Sequence, residues 1–473
     1  MLSIVVARYN EDLEWLNSVK EHVHLYNKGE TLSSEGYASY KELPNVGREA
    51  HTYLQYIIDN YDNLPSVICF TQGQVADHYN YTEKSQGVEH LINLMNLAVL
   101  SEDGVSSNFK EGVINENCGP NFNIFRAEQL NDLYFKDPLF YNNGKVEAFK
   151  DWFERNLRIK YPEKLIHCWN AIFAVRSENI MRRSLNFYKN LLKEVDKINR
   201  PVEAHFFERA WYYVFQQPES DLDAIYFCQN HPYATYKTLE GFRKHHPDAD
   251  IYLFSDCGHD YTEMAKHFNC KYTYLNESIY AHFHSYKLLN EQTMLRKLKA
   301  YWSTYVSVLE KSCAKYIIKL EDDVSIQGKV LTSRLNGFIN GTTLHKLPDY
   351  FFTHYFRDQP TATVPKSVYF SGSGGCIFNS DELRLCLGNS GALDRVIESY
   401  KACGILGGVV VDDLTISALG AVLGYKIVNN PLQIEVDTEK HIKNKEKMII
   451  LHQVKDYYNM PLPSELAHLA KPT

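Results

Sequence analysis

Residues 316–323 read Tyr-Ile-Ile-Lys-Leu-Glu-Asp-Asp, an apolar run that stops at three consecutive carboxylates. A short β-branched run bounded by charge predicts a buried strand. Adjacent carboxylates repel one another, at a cost that rises with burial. A hard divalent cation, Mn²⁺ or Mg²⁺, removes that cost with few protein oxygens, leaving phosphate oxygens to complete its shell. Alternation along the strand puts Glu321 and Asp323 on one side and Asp322 on the other. A solvated acidic turn is the competing reading of the triplet taken alone.

Outward from this strand, the two halves of the chain rhyme. Ser3–Asn10 (SIVVARYN) matches Asp223–Asn230 (DAIYFCQN), each an apolar strand ending in Asn before an amphipathic stretch. Val67–Gly73 (VICFTQG) stands where Tyr316–Asp323 stands. Ile172–Glu178 pairs with Ile377–Glu382, and Glu203–Phe215 with Val411–Val422, and Phe173 is as far from Glu208 as Phe378 is from Asp413. Short apolar runs (Val67–Phe70, Ile251–Phe254, Ile317–Leu320) alternate with helical patterns (Tyr53–Ile58, Leu91–Leu100, Met294–Leu309). That alternation predicts an α/β protein of two tandem Rossmann-like domains with mainly parallel sheets. The polar segment Gln216–Asp221 predicts the join, giving domains 1–217 and 218–473. Ligands of such sheets bind beyond the carboxyl ends of the strands, where the acids lie.

Three further elements follow the acid triplet. Ser371-Gly372-Ser373-Gly374-Gly375 predicts a loop that lets backbone approach a ligand closely. Val409–Val411 ends in Asp412-Asp413 at a helix start, where either acid could simply cap the helix. Met448–Leu451 is a strand ending in His452, a structural residue or a metal ligand. An acid triplet, a glycine loop, an acid pair and a late His, in that order, resemble the GT-A class of nucleotide-sugar glycosyltransferases, nearest the fringe-like and β-1,3-galactosyltransferase-like group, over residues 224–457. The resemblance implies that Glu321 and Asp323 occupy the "DxD" positions and hold Mn²⁺ or Mg²⁺ with His452. It makes Asp413 the catalytic base of an inverting transfer, and Gly372, Gly374 and Gly375 the glycine loop. It places Gln229, Asn230, Asp256 and Asp322 at the donor, with Arg296 and Lys299 near its diphosphate unless they lie on a solvated helix face. The departure is Glu321 in place of the first Asp, which makes Asp323 the firmer metal ligand.

The first half carries Val5-Val6-Ala7-Arg8-Tyr9-Asn10-Glu11-Asp12, Tyr26-Asn27-Lys28-Gly29, Leu43-Pro44-Asn45-Val46-Gly47-Arg48-Glu49, Phe70-Thr71-Gln72-Gly73 and Glu208-Arg209-Ala210-Trp211. Over residues 1–216 it resembles a domain family of unknown function, and its opening strand and Asn-x-Gly-Arg segment are similar to those of inverting GT-A enzymes. Gln72 stands where the second half has carboxylates and cannot replace them. Asp77 and His78 follow closely, as possible ligands or as surface groups. Lys28 and Arg48 could neutralise a diphosphate without a metal; Asn10 and Gln72 complete the expected donor side. Glu208 is the candidate base, or else pairs with Arg209.

Composition bounds the rest. With 50 Lys and Arg against 58 Asp and Glu, the 473-residue chain carries a formal charge of −8, which disfavours a nucleic-acid binder working by bulk charge. Ten cysteines without a Cys-x-x-Cys pair predict free thiols in a reducing compartment and no zinc site. No signal peptide or membrane span is legible, and the apolar stretch Leu414–Val428 reads as a core helix, so a cytoplasmic location is expected. The expectation is a soluble two-domain glycosyltransferase, metal-dependent in its second domain. Its partners would be a nucleotide-sugar donor and a glycan acceptor, and its first domain a metal-independent transferase or a degenerate partner. A metal-dependent nucleotidyltransferase and a non-catalytic glycan-binding module are the alternatives; the chain has no Walker-type loop for a triphosphate.

Overall fold

The chain divides into two units, Met1–Pro218 and Glu219–Thr473, each built around one large sheet. The structure, a computed structural model, describes residues 2–75, 85–107, 123–126, 149–162, 164–216, 218, 221–228, 231–255, 259–275, 291–337, 339–341, 344–346, 354–357, 369–371, 375–402, 412–429, 433–435, 448–452, 454 and 457–472.

In the first unit the strands are β1 (Ile4–Arg8), β2 (Val23–Asn27), β3 (Ser39–Glu42), β4 (Val67–Gln72), β5 (Val105–Ser107) and β6 (Phe173–Arg176). They form a six-stranded sheet in the order β3-β2-β1-β4-β6-β5. Helices α1 (Arg48–Asn60), α2 (Ser85–Leu100), α3 (Leu185–Val195) and α4 (Val202–Val214) belong to the same unit. The central strands are buried on both faces, which is why they read as unbroken apolar runs. Alternation then sorts their side chains. Ile4, Val6 and Cys69 pack with Leu16, Leu91 and Leu94. On the opposite face Phe70 meets Tyr53 at 5.0 Å and Phe173 at 5.2 Å between ring centroids, and Phe173 meets Trp211 at 5.3 Å. Much of the high aromatic content is therefore core rather than ligand-stacking surface.

The second unit repeats the plan. Its strands are β7 (Leu222–Cys228), β8 (Ile251–Ser255), β9 (Lys271–Tyr274), β10 (Tyr316–Glu321), β11 (Ile339–Gly341), β12 (Ile377–Asn379) and β13 (Ile427–Asn429). They form a seven-stranded sheet in the order β9-β8-β7-β10-β12-β11-β13. Helices α5 (Pro232–His245), α6 (Glu291–Leu309) and α7 (Asp412–Val422) are the ones that bear on the site. Ile225, Phe227, Ile317 and Phe378 face Leu298, Tyr305 and Leu419, while Ala224, Tyr226, Ile318 and Ile377 face Leu239 and Phe242.

Both sheets share one topology. The third, second, first and fourth strands run parallel. The next strand, β6 or β12, runs against the fourth, and its outer neighbour runs against it in turn. The four rhyming segments fall on β1 and β7, β4 and β10, β6 and β12, and α4 and α7. The expectation of mainly parallel sheets needs correction, since both sheets are mixed. An apolar run looks the same in either direction, and only the connection into it fixes its sense. The reading of Leu414–Val428 as one helix is also corrected. The helix ends at Val422, Gly424 takes a left-handed φ of 82°, and β13 begins at Ile427. The Tyr425 N–H reaches back to the Gly420 carbonyl at 2.8 Å, closing the helix as glycine caps do. Among the described residues no helix is long and apolar enough to cross a membrane.

Candidate functional site

In each sheet the first strand lies between the second and the fourth, so the chain leaves it to opposite sides and opens a crevice at the carboxyl ends. That switch point is where open α/β sheets bind ligands. In the second unit it lies between β7 and β10, with Glu321 in register with Phe227. The acid triplet is thus at the crevice.

Its members differ in environment. Glu321 pairs with the buried Lys319 ammonium at 3.0 Å. Asp322, 2% exposed, accepts hydrogen bonds from Tyr226 Oη at 2.9 Å and Thr235 Oγ1 at 3.0 Å. This carboxylate, expected at the donor, is turned into the fold and ties β10 to β7 and α5. Asp323 is buried, and its carbonyl accepts the Val454 N–H at 2.9 Å. That bond, with Ser325 opposite Leu451 in an antiparallel pair, brings the segment Ile450–His452 alongside the triplet. Gly375, at a left-handed φ of 85°, donates its N–H to the Lys319 carbonyl at 2.6 Å, so the end of the glycine loop rests on the acid-bearing strand. Lys299 is exposed to solvent on α6, as a charged helix face would be. Gln229, Asn230, Asp256, Gly372 and Gly374, with Asp77 and His78 of the first unit, lie outside the described residues. The side chains of Arg296, Asp413 and His452 do so too; the backbone places Asp413 in the first turn of α7 and His452 at a strand end.

Two residues that the sequence reading missed complete this crevice. The hydroxyl of Tyr458 is pushed well above its ordinary range, first by burial and then by the nearby charges of Asp323, Asp322 and Glu321. Its ring stacks on His231 at 4.1 Å, and the His231 Nδ1 lies 3.0 Å from the Tyr458 carbonyl. No local signal marks Tyr458, which meets the triplet only through the fold. Among the described residues no three His, Cys, Asp or Glu side chains converge as a metal cluster.

The first unit's switch point lies between β1 and β4 and opens a cleft of about 340 Å³. Arg8 ends β1 and is spent on structure: Nη1 donates to Asn27 Oδ1 at 2.7 Å and to the Glu30 carbonyl at 2.9 Å. Asn10 Oδ1 accepts the Glu30 N–H at 2.8 Å, so this expected donor residue joins two loops. A Cβ on Gly29 would lie 1.4 Å from the Tyr9 carbonyl oxygen, an approach only glycine permits. Lys28 Nζ donates to the carbonyls of Val46 and Arg48, both at 2.5 Å. Burial depresses its pKa to about 7 against the pull of Glu49 and Asp196. Arg48 takes a left-handed φ of 50° directly after Gly47 at 62°, and its Nη1 lies 3.2 Å from His205 Nε2.

Glu208 is held by neighbours. Burial by itself would raise its pKa, but hydrogen bonds and charge from His167 and Arg209 outweigh this and set it at about 2. Its Oε2 accepts from Arg209 at 2.9 Å, and its Oε1 accepts the Asn170 N–H at 3.1 Å. Gln72 Nε2 donates to the carbonyl of the same Asn170 at 2.8 Å. Asn170 and Ala171 are both left-handed, at φ of 56° and 54°, a conformation costly for residues with a Cβ. Gln72 and Glu208 thus clamp a strained turn at the mouth of β6.

A family described as "Protein of unknown function (DUF3431)" matches residues 4–231, which span the first unit and β7. No curated protein matches the chain. Among solved structures, core-mannan synthase A (CmsA/Ktr4) from Aspergillus fumigatus, in its Mn/GDP form, is 12% identical with a TM-score of 0.29, over 43% of this chain and 70% of its own. Mouse xyloside xylosyltransferase 1 is 11% identical with a TM-score of 0.29, over 50% and 98%. The WbbM bifunctional glycosyltransferase is 9% identical with a TM-score of 0.25, over 95% and 93%. The chain is thus distantly similar to several glycosyltransferases, and no activity follows from likeness at this level.

Proposed function

We propose that the chain is a glycosyltransferase that moves a sugar from a nucleoside-diphosphate donor to a hydroxyl acceptor, with transfer in the second unit. The observation that carries this reading is the acid-ended strand β10 at the switch point of its sheet, with Glu321 and Asp323 at the crevice and Tyr458 beside them. The oxygen-rich donor set suits a hard cation, which would also relieve the charges of Asp323, Asp322 and Glu321 that add to burial in raising Tyr458. Glu321, Asp323 and His452 would hold Mn²⁺ or Mg²⁺, Asp323 foremost because Glu321 departs from the first Asp of the "DxD" pattern. When bound, the cation would offset charge developing on the leaving diphosphate.

The chain's own residues do the rest. Asp413, in the first turn of α7, takes the proton of the acceptor hydroxyl. One base opposite the leaving group gives inversion at the anomeric carbon. Gln229, Asn230 and Asp256, which follow β7 and β8 in sequence, hold the nucleotide, and Gly372–Gly375 lines the acceptor side. In the first unit Glu208 is a poor base for a metal-independent transfer. A carboxylate held at about 2, with both oxygens engaged, accepts a proton weakly. We therefore place transfer in the second unit and ligand binding in the first.

The test is a panel of sugar nucleotides incubated with the chain and Mn²⁺, with release of nucleoside diphosphate as the readout. Turnover is expected with at least one donor, and Asp323→Ala and Asp413→Asn should each lower it at least a hundredfold. Full turnover in both variants would overturn the site; carbohydrate binding without turnover would make the chain a glycan-binding module. NMR of the product's anomeric carbon reads the stereochemistry, and retention would refute the single-base mechanism.

A further inference from the structure

The cleft of the first unit is built for an anion. Four cationic side chains line it, Arg8, Lys28, Arg48 and Arg200, against two carboxylates, Glu11 and Glu49. Four cations against two carboxylates leave the lining net positive. Glu11 Oε2 already accepts the Tyr9 N–H at 2.6 Å. Burial pushes the carboxyl of Glu49 upward, against the charges of Arg48 and Lys28. Arg8 is committed to Asn27 and Glu30, and Arg48 Nε lies 3.6 Å from Glu49 Oε2 while its Nη1 faces His205; Lys28, Arg200 and the remaining N–H groups of the Arg48 guanidinium would meet a ligand. Two neutral carbonyls hold the Lys28 amine in place, and an incoming anion would favour its charged form against the burial that lowers its pKa to about 7. The amides of Asn45, Gln72 and Asn199 also line the cleft and offer neutral donors to oxygen. A volume of about 340 Å³ lies at the lower end of ordinary small-ligand pockets.

We propose that this cleft binds a phosphoryl anion, as the diphosphate of a nucleotide or as free pyrophosphate, through Lys28, Arg48 and Arg200 and without a metal ion. Guanidinium forks match the paired oxygens of phosphate, and an ammonium adds a point charge. Where the second unit presents carboxylates at its switch point, this unit presents Gln72, and its charge is supplied from α1 and the loops instead. The site rests on the assignment of ligand binding to the first unit, but it needs no activity from the second.

Isothermal titration of the full chain in EDTA tests it, with UDP, GDP and pyrophosphate as probes, repeated in an Asp323→Ala background. Binding at one site per chain is expected in both. Arg200→Gln, at an exposed position that leaves the core untouched, should weaken binding at least fivefold, and Arg48→Gln with Arg200→Gln at least thirtyfold. Equal affinity for pyrophosphate and UDP would support the site as a reader of phosphate alone. Tighter UDP or GDP binding would support it and add a subsite for the nucleoside. No binding in EDTA would overturn it. So would binding that Asp323→Ala abolishes and the arginine variants leave intact. Loss of sugar-nucleotide turnover in Asp323→Ala tests the second unit only.

Discussion

Glu208 shows how one residue's surroundings decide what it can do. Its carboxyl is held at about 2 in the folded chain, below the unfolded value of about 4.3. A group whose pKa is depressed on folding lends stability above its unfolded pKa and loses it as pH falls through the folded one. Glu208→Gln should therefore lower stability at pH 7 by on the order of 3 kcal/mol, with the gap to the native chain closing between about pH 4.5 and pH 2. Denaturant titrations across that range check it; a constant gap would mean that the ionic partners contribute nothing. From sequence, Glu208 was legible as a choice between base and partner of Arg209. His167 and Asn170, which complete its environment, lie far from it along the chain, and no local pattern joins them. The same holds for Tyr458. Strand alternation does not reach past Glu321, where β10 ends and Asp322 and Asp323 enter a turn, so the burial of Asp322 against Tyr226 and Thr235 is likewise a property of the fold.

At the scale of elements, Asp322 joins β10, β7 and α5 through Tyr226 and Thr235. Removing its carboxylate leaves two buried hydroxyls without that acceptor. Asp322→Ala should cost roughly 2–4 kcal/mol, and Asp322→Asn, which keeps one acceptor oxygen, about half as much. Thermal melts of the two variants give the comparison, and equal losses would show that charge rather than hydrogen bonding holds the junction. The elements themselves were readable because burial on both faces writes a strand as an unbroken apolar run, as in β1 and β10, and an amphipathic helix as a 3.6-residue repeat. Strand direction was not readable. β6 and β12 reverse against their neighbours, and nothing in Phe173–Arg176 or Ile377–Asn379 encodes that, since direction is a property of the connection.

For the whole molecule, the shared strand order explains why segments with negligible identity recur in the same succession, although only the last two keep equal spacing. From one of those two segments to the other, each unit runs through two helices, Ser177–Ile180 and Leu185–Val195 in the first and Ser380–Gly388 and Ser390–Ala402 in the second. Each unit carries its own buried clusters. The fragment 1–218 should therefore fold alone and melt cooperatively, with a heat-capacity change of about 12–15 cal/mol/K per residue. Calorimetry of the fragment tests this; a featureless trace would show that the first core depends on the second unit.

The reversed strands β6 and β12 have one more consequence. Because each begins at the end of the sheet where its parallel neighbours finish, the segments that enter them, residues 108–172 and 342–376, deliver their last residues to the crevice. Asn170 reaches Gln72 this way, and Gly375 reaches the strand that carries Glu321. In the first unit this entry also carries Phe149, Trp152 and Phe153, buried in the core with Phe206 and Phe207 of α4, so it packs into the fold before it reaches the crevice. What reaches each crevice is thereby tied to the antiparallel half of its sheet, and the parallel half alone does not complete it.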